Sequence, residues 1–300
     1  MKEIKIKSHA KINLGMKVYK KREDGFHEVE TILQMVDLYD TVTLRRIEAG
    51  IVVSCNNGSV PEDENNLAYR AAELIQGHTK VKKGVLIKID KHIPVSAGLG
   101  GGSSNAAVTL LALNRLWDLG LKKDELIDLA KLLGSDVPFF IFGTRAIGRG
   151  RGEELEPLSP GKRVPAVLVN PNLSLSTSLV YKNLNLRLTN KDNNINLLMS
   201  LLNKGEIKKI GRYIFNDLES PAIKSFPVIK DIKDKLWSLG AAGSMMSGSG
   251  PTVFGLFTDY NIAKEACHRL KEGEWTVFLT ETIVDLQEIY PKLFSYISDS

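Results

Sequence analysis

The sequence predicts two α+β domains. Three observations carry this expectation. Within each half, segments with strand alternation come first and helical segments follow, which is not the regular succession of a βαβ protein. Each half carries one glycine-rich loop, and composition shifts mildly between them at Gly161-Lys162-Arg163-Val164-Pro165. The length of 300 residues suits two units of about 150. We therefore expect one domain over residues 1–160 and a second over 161–300.

The elements follow in order. Ile4 and Ile6 alternate with lysines, and Ile12 and Leu14 share one face, which is strand spacing. The stretch VETILQMVDLYDTVTLRRI (29–47) is rich in β-branched residues and predicts further strands. Cys55-Asn56-Asn57-Gly58 predicts a turn. Asn65-Asn66 supplies an N-cap for a helix with Leu67, Ala71, Leu74 and Ile75 on one face, and Gly77 is its expected stop. Val85, Ile87 and Ile89 predict a strand. After the loop PVSAGLGGGSSN (94–105), Ala106, Ala107, Leu110, Leu111, Leu113 and Trp117 predict a helix buried on more than one side and ended by Gly120. Asp124 is the expected cap of the next helix, which buries Leu126, Leu129, Ala130 and Leu133 and stops at Gly134. The second half opens with a strand over Val164–Val169 and a turn at NKDNN (190–194). Helices follow from an Asn194 cap and over Ile229–Leu239. GAAGSMMSGSGPTVFGLF (240–257) then reads as a loop running into a strand over Val253–Phe257.

Composition excludes several classes. Hydrophobic residues are 43% and charged residues 25%, enough apolar surface to offset ordering entropy, so the chain is not disordered. Two cysteines, Cys55 and Cys267, make neither a disulfide framework nor a metal cluster, and we expect reduced thiols in a cytoplasmic protein. Lysines interrupt the first residues, MKEIKIKSHAKINLG, so no secretory signal is expected, and no apolar run approaches a membrane span. The net charge of +5 is scattered in pairs such as Arg45-Arg46 and Lys208-Lys209. It suits steering of a small polyanion and argues against nucleic acid as a partner.

The strongest chemical signal is Pro94-Val95-Ser96-Ala97-Gly98-Leu99-Gly100-Gly101-Gly102-Ser103-Ser104-Asn105. Glycines let backbone N–H groups approach a ligand closely, and a helix start adds unpaired N–H groups and a positive dipole end. Together they make a phosphate cradle. No lysine follows the last glycine, and Ser103 stands where a dinucleotide fingerprint needs glycine, so neither nucleotide motif applies. Ser103 and Ser104 either cap the helix or also hold phosphate and Mg²⁺. A second glycine-rich segment, Met246–Thr252, reads as a tight turn or, beside the first loop, as a second wall of one nucleotide site. Lys11 and Asn13 share a strand face, and Asp136 lies between a helix and an apolar run. A lone strand lysine is usually solvated and an aspartate there is often a cap, so the residues alone leave both open.

Taken in order, Ala10-Lys11-Ile12-Asn13-Leu14, the 94–107 loop and Ser247–Thr252 resemble the motifs of the GHMP kinases. REDGFHEVETILQMVDLYD (22–40), ENNLAYRAA (64–72), LGSDVPFFIFGT (133–144) and GRGEEL (150–155) are similar, more narrowly, to the 4-diphosphocytidyl-2-C-methyl-D-erythritol kinase family. The resemblance runs to about residue 284. It implies a ribosomal protein S5 domain 2-like N-terminal domain and a ferredoxin-like α/β C-terminal domain. It implies ATP-dependent phosphorylation of the 2-hydroxyl of CDP-methylerythritol in the non-mevalonate isoprenoid pathway, with Mg²⁺ carried on ATP and no dedicated metal ligands. By the same resemblance Asp136 accepts the hydroxyl proton, and Lys11 orients it and stabilises charge near the γ-phosphate. Asn66, Lys91, Pro94, Gly98, Leu99, Gly100, Gly101, Gly102, Ser103, Ser104 and Ser247 would face ATP, Asn66 also being a plausible N-cap. Asn13, Phe26, His27, Asp136, Thr177 and Tyr181 would face the acceptor, with Phe26 and Tyr181 sandwiching cytosine and His27 bonding its edge. The family usually has Tyr where Phe26 stands and Pro where His9 stands, and the tail from Ile283 is longer than expected. A monomer or homodimer is implied, without membrane or nucleic acid. Two rivals remain: another GHMP kinase, which would have no use for the DGFH segment and Tyr181, and a ligand sensor of the same fold, which could dispense with Lys11 and Asp136.

Overall fold

The computed structural model describes residues 2–159, 161–184 and 194–290. Its first half runs β1 (Glu3–Lys21), β2 (His27–Ile47), β3 (Ile51–Cys55), α1 (Leu67–Thr79), β4 (Gly84–Asp90), α2 (Gly101–Trp117), α3 (Lys123–Leu133), α4 (Phe139–Phe142), β5 (Arg145–Arg149) and β6 (Glu154–Pro157). Its second half runs β7 (Pro165–Asn170), α5 (Thr177–Lys182), α6 (Ile195–Lys204), α7 (Ile207–Tyr213), β8 (Phe215–Asn216), α8 (Glu219–Ser225), α9 (Val228–Ser238), β9 (Gly243–Met246), β10 (Val253–Leu256), α10 (Tyr260–Leu270), β11 (Thr276–Glu281) and α11 (Leu286–Ile289). The α+β class holds, but strands and helices interleave: β4, β5 and β6 follow helices in the first half, and in the second only β7 precedes the first helix.

The large sheet has the order β3-β4-β2-β1-β8, with β5 pairing the near end of β2 and β6 pairing β5. Its centre is the long antiparallel pair β1–β2, which pairs from Glu3↔Arg45 to Lys21↔His27. The 29–47 stretch is one strand, not several, because β1 supplies a partner along most of its length. A register irregularity between His9 and Ala10 divides the packing of β1. Ile6 belongs to the core under α1–α4, whereas Ala10, Ile12 and Leu14 pack into a second core against the other half. Lys11 and Asn13 are thereby turned toward α2 and the glycine loop.

The second sheet is antiparallel, in the order β11-β7-β10-β9, with α9 and α10 buried against it through Ile229, Ile232, Leu236, Ala263 and Leu270. β8 leaves this half and pairs parallel to β1 at Gly15↔Phe215 and Met16↔Asn216. α2 is enclosed almost all round, with Leu110, Leu113, Trp117, Thr109 and Asn114 buried. Each such apolar side chain contributes about 1.5–3 kcal/mol of burial.

Four local readings change. α1 continues through Gly77 to Thr79, and Lys80 in the left-handed region ends it. A helical glycine costs only about 1 kcal/mol, which packing of Ala71, Ala72 and Ile75 overrides. α3 is capped at Lys122, whose amide donates to Glu125 Oε2 at 2.9 Å, and Asp124 lies inside its first turn. α2 ends at Trp117 with Asp118 left-handed, before Gly120. Residues 243–246 are strand β9, because β10 pairs them across Met246↔Val253 to Gly243↔Leu256. The NKDNN turn lies outside the described residues except Asn194, which caps α6 by accepting from Leu197 N. The tail beyond Tyr290 also lies outside them. Among the described residues no helix is long and apolar enough to cross a membrane.

Candidate active site

A cleft of about 1020 Å³ lies between the two halves. Its floor is Lys11 and Asn13 of β1, one wall is the 96–103 loop with Asp136, and the opposite wall is Thr177, Tyr181 and Gly248–Gly250. The β1–β2 hairpin tip brings Phe26 and His27 to one end. That tip is closed by Arg22 N donating to Phe26 O at 2.7 Å, with Gly25 at φ 85°.

Lys11 is almost fully buried and its ammonium has two neighbours. It donates to Asn13 Oδ1 at 2.7 Å and stands 3.4 Å from Asp136 Oδ2. Its backbone N–H donates to Leu99 O at 2.9 Å, so the strand carrying the lysine is tied to the glycine loop. Leu99 is itself buried, and its carbonyl is the acceptor of this bond. Asn13 is fixed in turn by donating to Thr31 Oγ1 at 2.8 Å, while Thr31 donates to Gly15 O at 2.9 Å. Asp136 keeps 36% side-chain exposure and faces the cleft.

Gly100 is the N-cap of α2, left-handed at φ 68°, and brings no side-chain oxygen to the first-turn amides. Those amides and the positive end of the helix dipole are what an anion needs. Gly98 cannot be another residue without movement. It sits at φ +76°, and a Cβ there would stand 2.2 Å from Ser247 O. The two glycine-rich segments therefore touch. Ser247, fully buried, seals the contact by donating to Gly98 O at 3.0 Å and accepting from Asn13 N at 3.3 Å. Thr252 N donates to Ala97 O at 3.3 Å.

The predicted residues separate into two sets. Lys11, Asn13, Phe26, His27, Gly98, Gly100, Ser103, Asp136, Thr177 and Tyr181 line the cleft. Others do not line it. Ser104 is buried and accepts from Ser8 Oγ at 2.8 Å, which turns its hydroxyl away from the helix start. Asn66 is a working N-cap: Oδ1 accepts from Ala68 N at 2.8 Å and Nδ2 donates to Pro61 O at 2.7 Å. Lys91 donates to Asp40 Oδ2 and to Ile93 O, both at 2.7 Å. Gly101 begins α2 directly over that ammonium, 2.9 Å from where its Cβ would be. Pro94 is half-buried at the loop entry and Gly102 is exposed on α2.

At the aromatic end, the His27 and Tyr181 rings stack with centroids 5.1 Å apart at 29°. Partial burial, then the charge of Lys21, holds the His27 imidazolium below its ordinary 6.5 and favours the neutral ring. Burial, then the negative charge of Asp136, pushes the Tyr181 hydroxyl above its ordinary 10.0. Phe26 is 53% exposed, and the Arg151 guanidinium stands 5.1 Å from its ring centroid. Thr177 Oγ1 and Ser249 Oγ are 2.8 Å apart and join α5 to the second glycine segment.

Sequence reasoning missed several residues. Arg151, Lys21 and Lys182 also line the cleft. Arg151 had a signal, since it stands between Gly150 and Gly152 in the quoted GRGEEL segment. Asn216 of β8 donates to Met246 O at 2.9 Å and Gly248 O at 2.7 Å, and so holds the second glycine segment; no local pattern announces it. Among the described residues no group of three His, Cys, Asp or Glu is placed to hold a metal ion.

Comparison with known proteins gives concordant findings. Residues 66–144 match the model of the GHMP kinases N terminal domain and residues 198–274 that of the GHMP kinases C terminal domain. A 4-diphosphocytidyl-2-C-methyl-D-erythritol kinase of Acetivibrio thermocellus is 44% identical over 94% of this chain and 100% of its own length. One of Alkaliphilus metalliredigens is 45% identical over 90% of this chain and 93% of its own. A crystal structure of 4-(cytidine 5'-diphospho)-2C-methyl-D-erythritol kinase superposes with a TM-score of 0.82 at 36% identity, covering 93% of this chain and 99% of that one. Homoserine kinase from Cytophaga hutchinsonii shares the fold, with a TM-score of 0.77 at 20% identity over 95% of both chains.

Proposed function

The chain belongs to the 4-diphosphocytidyl-2-C-methyl-D-erythritol kinase family of GHMP kinases, and on that premise we propose how its cleft moves a phosphoryl group. The enzyme is a small-molecule kinase that transfers the γ-phosphoryl group of ATP to the 2-hydroxyl of CDP-methylerythritol. One observation carries the assignment of roles: the near-buried Lys11 ammonium lies 3.4 Å from Asp136 Oδ2, between a helix start and an aromatic pair. Asp136 accepts the proton of the attacking hydroxyl. Lys11 orients that carboxylate and compensates charge on the transferring group. Such a transfer has a loose transition state, so position and electrostatics matter more than a strong base.

The first-turn amides of α2, with the Ser103 hydroxyl, hold the ATP phosphates. Leu99, Gly98 and Ser247 shape this cradle from behind. Asn66, Lys91, Pro94, Gly101 and Gly102 frame the nucleoside side through their backbone and packing. Mg²⁺ entering with ATP would neutralise phosphate charge, and Ser103 and Asp136 are the cleft residues whose oxygens would hold it. Phe26 and Tyr181 take the faces of the cytosine ring, which requires His27 to leave its stack on Tyr181 for the edge of the base. Neutral His27 offers one donating and one accepting nitrogen to its edge. Asn13 and Thr177 reach the polar middle of the acceptor. Residues 1–160 and 161–300 act as two domains, supported by the family matches on either side of that boundary, with β8 the second domain's contribution to the first sheet.

ADP release tests this reading. Purified protein receives ATP and Mg²⁺ with CDP-methylerythritol, mevalonate, homoserine or galactose in parallel. Turnover with the CDP-acceptor alone is expected. Turnover with another alcohol overturns the roles of Phe26, His27 and Tyr181 while leaving Asp136 and Lys11 in place.

A further inference from the structure

Asp40 lies at 0% exposure on β2, away from the cleft, and accepts four hydrogen bonds. Oδ1 takes the backbone amides of His92 at 2.7 Å and Ile93 at 2.8 Å. Oδ2 takes the Lys91 ammonium at 2.7 Å and Asn105 Nδ2 at 3.0 Å. The positions of these donors are the informative fact. Residues 91–93 lead into the glycine loop, and Asn105 lies in the first turns of α2 just beyond it. One carboxylate thus grips the chain on both sides of the phosphate cradle.

Neighbouring contacts strengthen the grip. Ser8, the cross-strand partner of Asp40, accepts from Asn105 Nδ2 at 2.8 Å and donates to Ser104 at 2.8 Å. The Lys91 ammonium also donates to Ile93 O at 2.7 Å. A Cβ on Gly101 would meet that ammonium at 2.9 Å and Ile93 Cγ2 at 3.0 Å, so the first residue of α2 rests directly on the pair. A buried ion pair is weak support for stability, since desolvation offsets its attraction. Placing one here has a clearer use in fixing geometry, because a cradle of backbone amides works only if the loop's two ends keep their spacing.

We propose that Asp40 is a positioning residue for the nucleotide: through Lys91, the 92–93 amides and Asn105 it sets the spacing between the loop entry and the start of α2. This rests on the reading of that loop as the ATP site. It gives Lys91 a role that needs no contact with ATP.

The test uses Asp40→Asn, Lys91→Met, their double variant, and Asn105→Ala, which removes the Asn105 bonds to Asp40 and Ser8 and leaves the Asp40–Lys91 pair in place. Binding of ADP is measured by titration calorimetry without acceptor, and KM is measured separately for ATP and CDP-methylerythritol. Asp40→Asn leaves the ammonium facing an amide, so ADP affinity and KM for ATP are expected to worsen at least tenfold while KM for the acceptor stays within twofold. The double variant, having no stranded ammonium, binds ADP no worse than Asp40→Asn. Asn105→Ala shifts ATP alone, about threefold to tenfold, and decides the matter if Asp40→Asn does not fold. A lower Tm with wild-type KM for both substrates makes Asp40 structural only and overturns the proposal, as does an equal loss for both. If the wild type binds ADP but turns over no CDP-acceptor, the functional reading fails and the calorimetric arm still judges Asp40.

Discussion

The contact between the two glycine segments makes a sharp prediction at Gly98. An alanine there carries two penalties. The left-handed backbone at φ +76° costs an L-residue about 1–2 kcal/mol. Its Cβ would lie 2.2 Å from Ser247 O, with Gly250 N and O at 3.1 Å, so backbone and not a flexible side chain must move. Overpacking of that kind costs about 1–3 kcal/mol. Gly98→Ala should therefore lose about 2–5 kcal/mol, or roughly 5–15 °C in Tm. It should also raise KM for ATP, because Ser247 and the loop are pushed apart. Gly102→Ala is the control from the same loop. It is helical, exposed, and its Cβ meets only Leu67 Cδ1 at 3.7 Å. That change should gain about 0.4–1 kcal/mol by restricting the unfolded chain. Thermal unfolding of the two variants, with KM for ATP beside it, is the assay. If Gly98→Ala melts within a degree of wild type, or both variants shift the same way, the two segments do not meet as described.

Further variants test other parts of the cleft. Asp136→Ala should abolish ADP release with a Tm change equivalent to at most about 1 kcal/mol, since its pair with Lys11 is part-exposed; wild-type-like turnover sinks its assignment as the base. Tyr181→Ala should raise KM for the acceptor about 5- to 150-fold, the worth of one stacked base at about 1–3 kcal/mol, and leave KM for ATP unchanged; equal effects on both substrates refute the stacking role. His9, buried against Tyr39 and Tyr290 with Asp37 3.5 Å away but not hydrogen-bonded, is held down to about 3 by burial and Lys7. The unfolded chain takes a proton at 6.5 that the folded one refuses, so the His9 contribution is complete above 6.5 and is lost as pH falls toward about 3. At pH 5 the loss is about 2 kcal/mol, and urea unfolding of His9→Leu should show a correspondingly flatter pH dependence; an unchanged slope refutes it.

What was legible in the sequence had a local cause. The glycine loop announces itself because positive φ and a helix start need particular residues in a row, and Gly98, Gly100 and Ser103 do line the cleft. Asn66 and Asn194 cap their helices because a cap bond reaches only two or three residues onward. Gly77 misled for the same reason: its propensity points to a stop, but the packing of Ala71, Ala72 and Ile75 before it carries the helix on to Thr79. What stayed hidden depends on distant pairing. Ser247 meets Gly98 across 149 residues, Arg145 meets Gln34 across 111, and Asn105 meets Asp40 across 65. Lys91 and Ser104 illustrate the limit from the other side. Their residue types suit a phosphate site, but a carboxylate and a hydroxyl on β2 and β1 turn both side chains inward.

These hidden contacts hold the charged groups of the cleft in place. Lys11 is held at its backbone by Leu99 O and at its ammonium by Asn13, and Asn13 receives its own position from Thr31 and Ser247. Ser247 in turn depends on a segment that Asn216 carries over from β8. The first half thus supplies the lysine, the carboxylate and the helix start, while the second half fixes the residue that fixes the lysine's neighbour. A shift of 1 Å between the sheets would break the Ser247 bonds to Gly98 and Asn13 together, and would move the ammonium relative to the amides of α2. Because positioning supplies most of the rate in phosphoryl transfer, the proposed roles of Lys11 and Asp136 make the β8 crossover a positioning element, acting through Asn216 and Ser247 on Asn13.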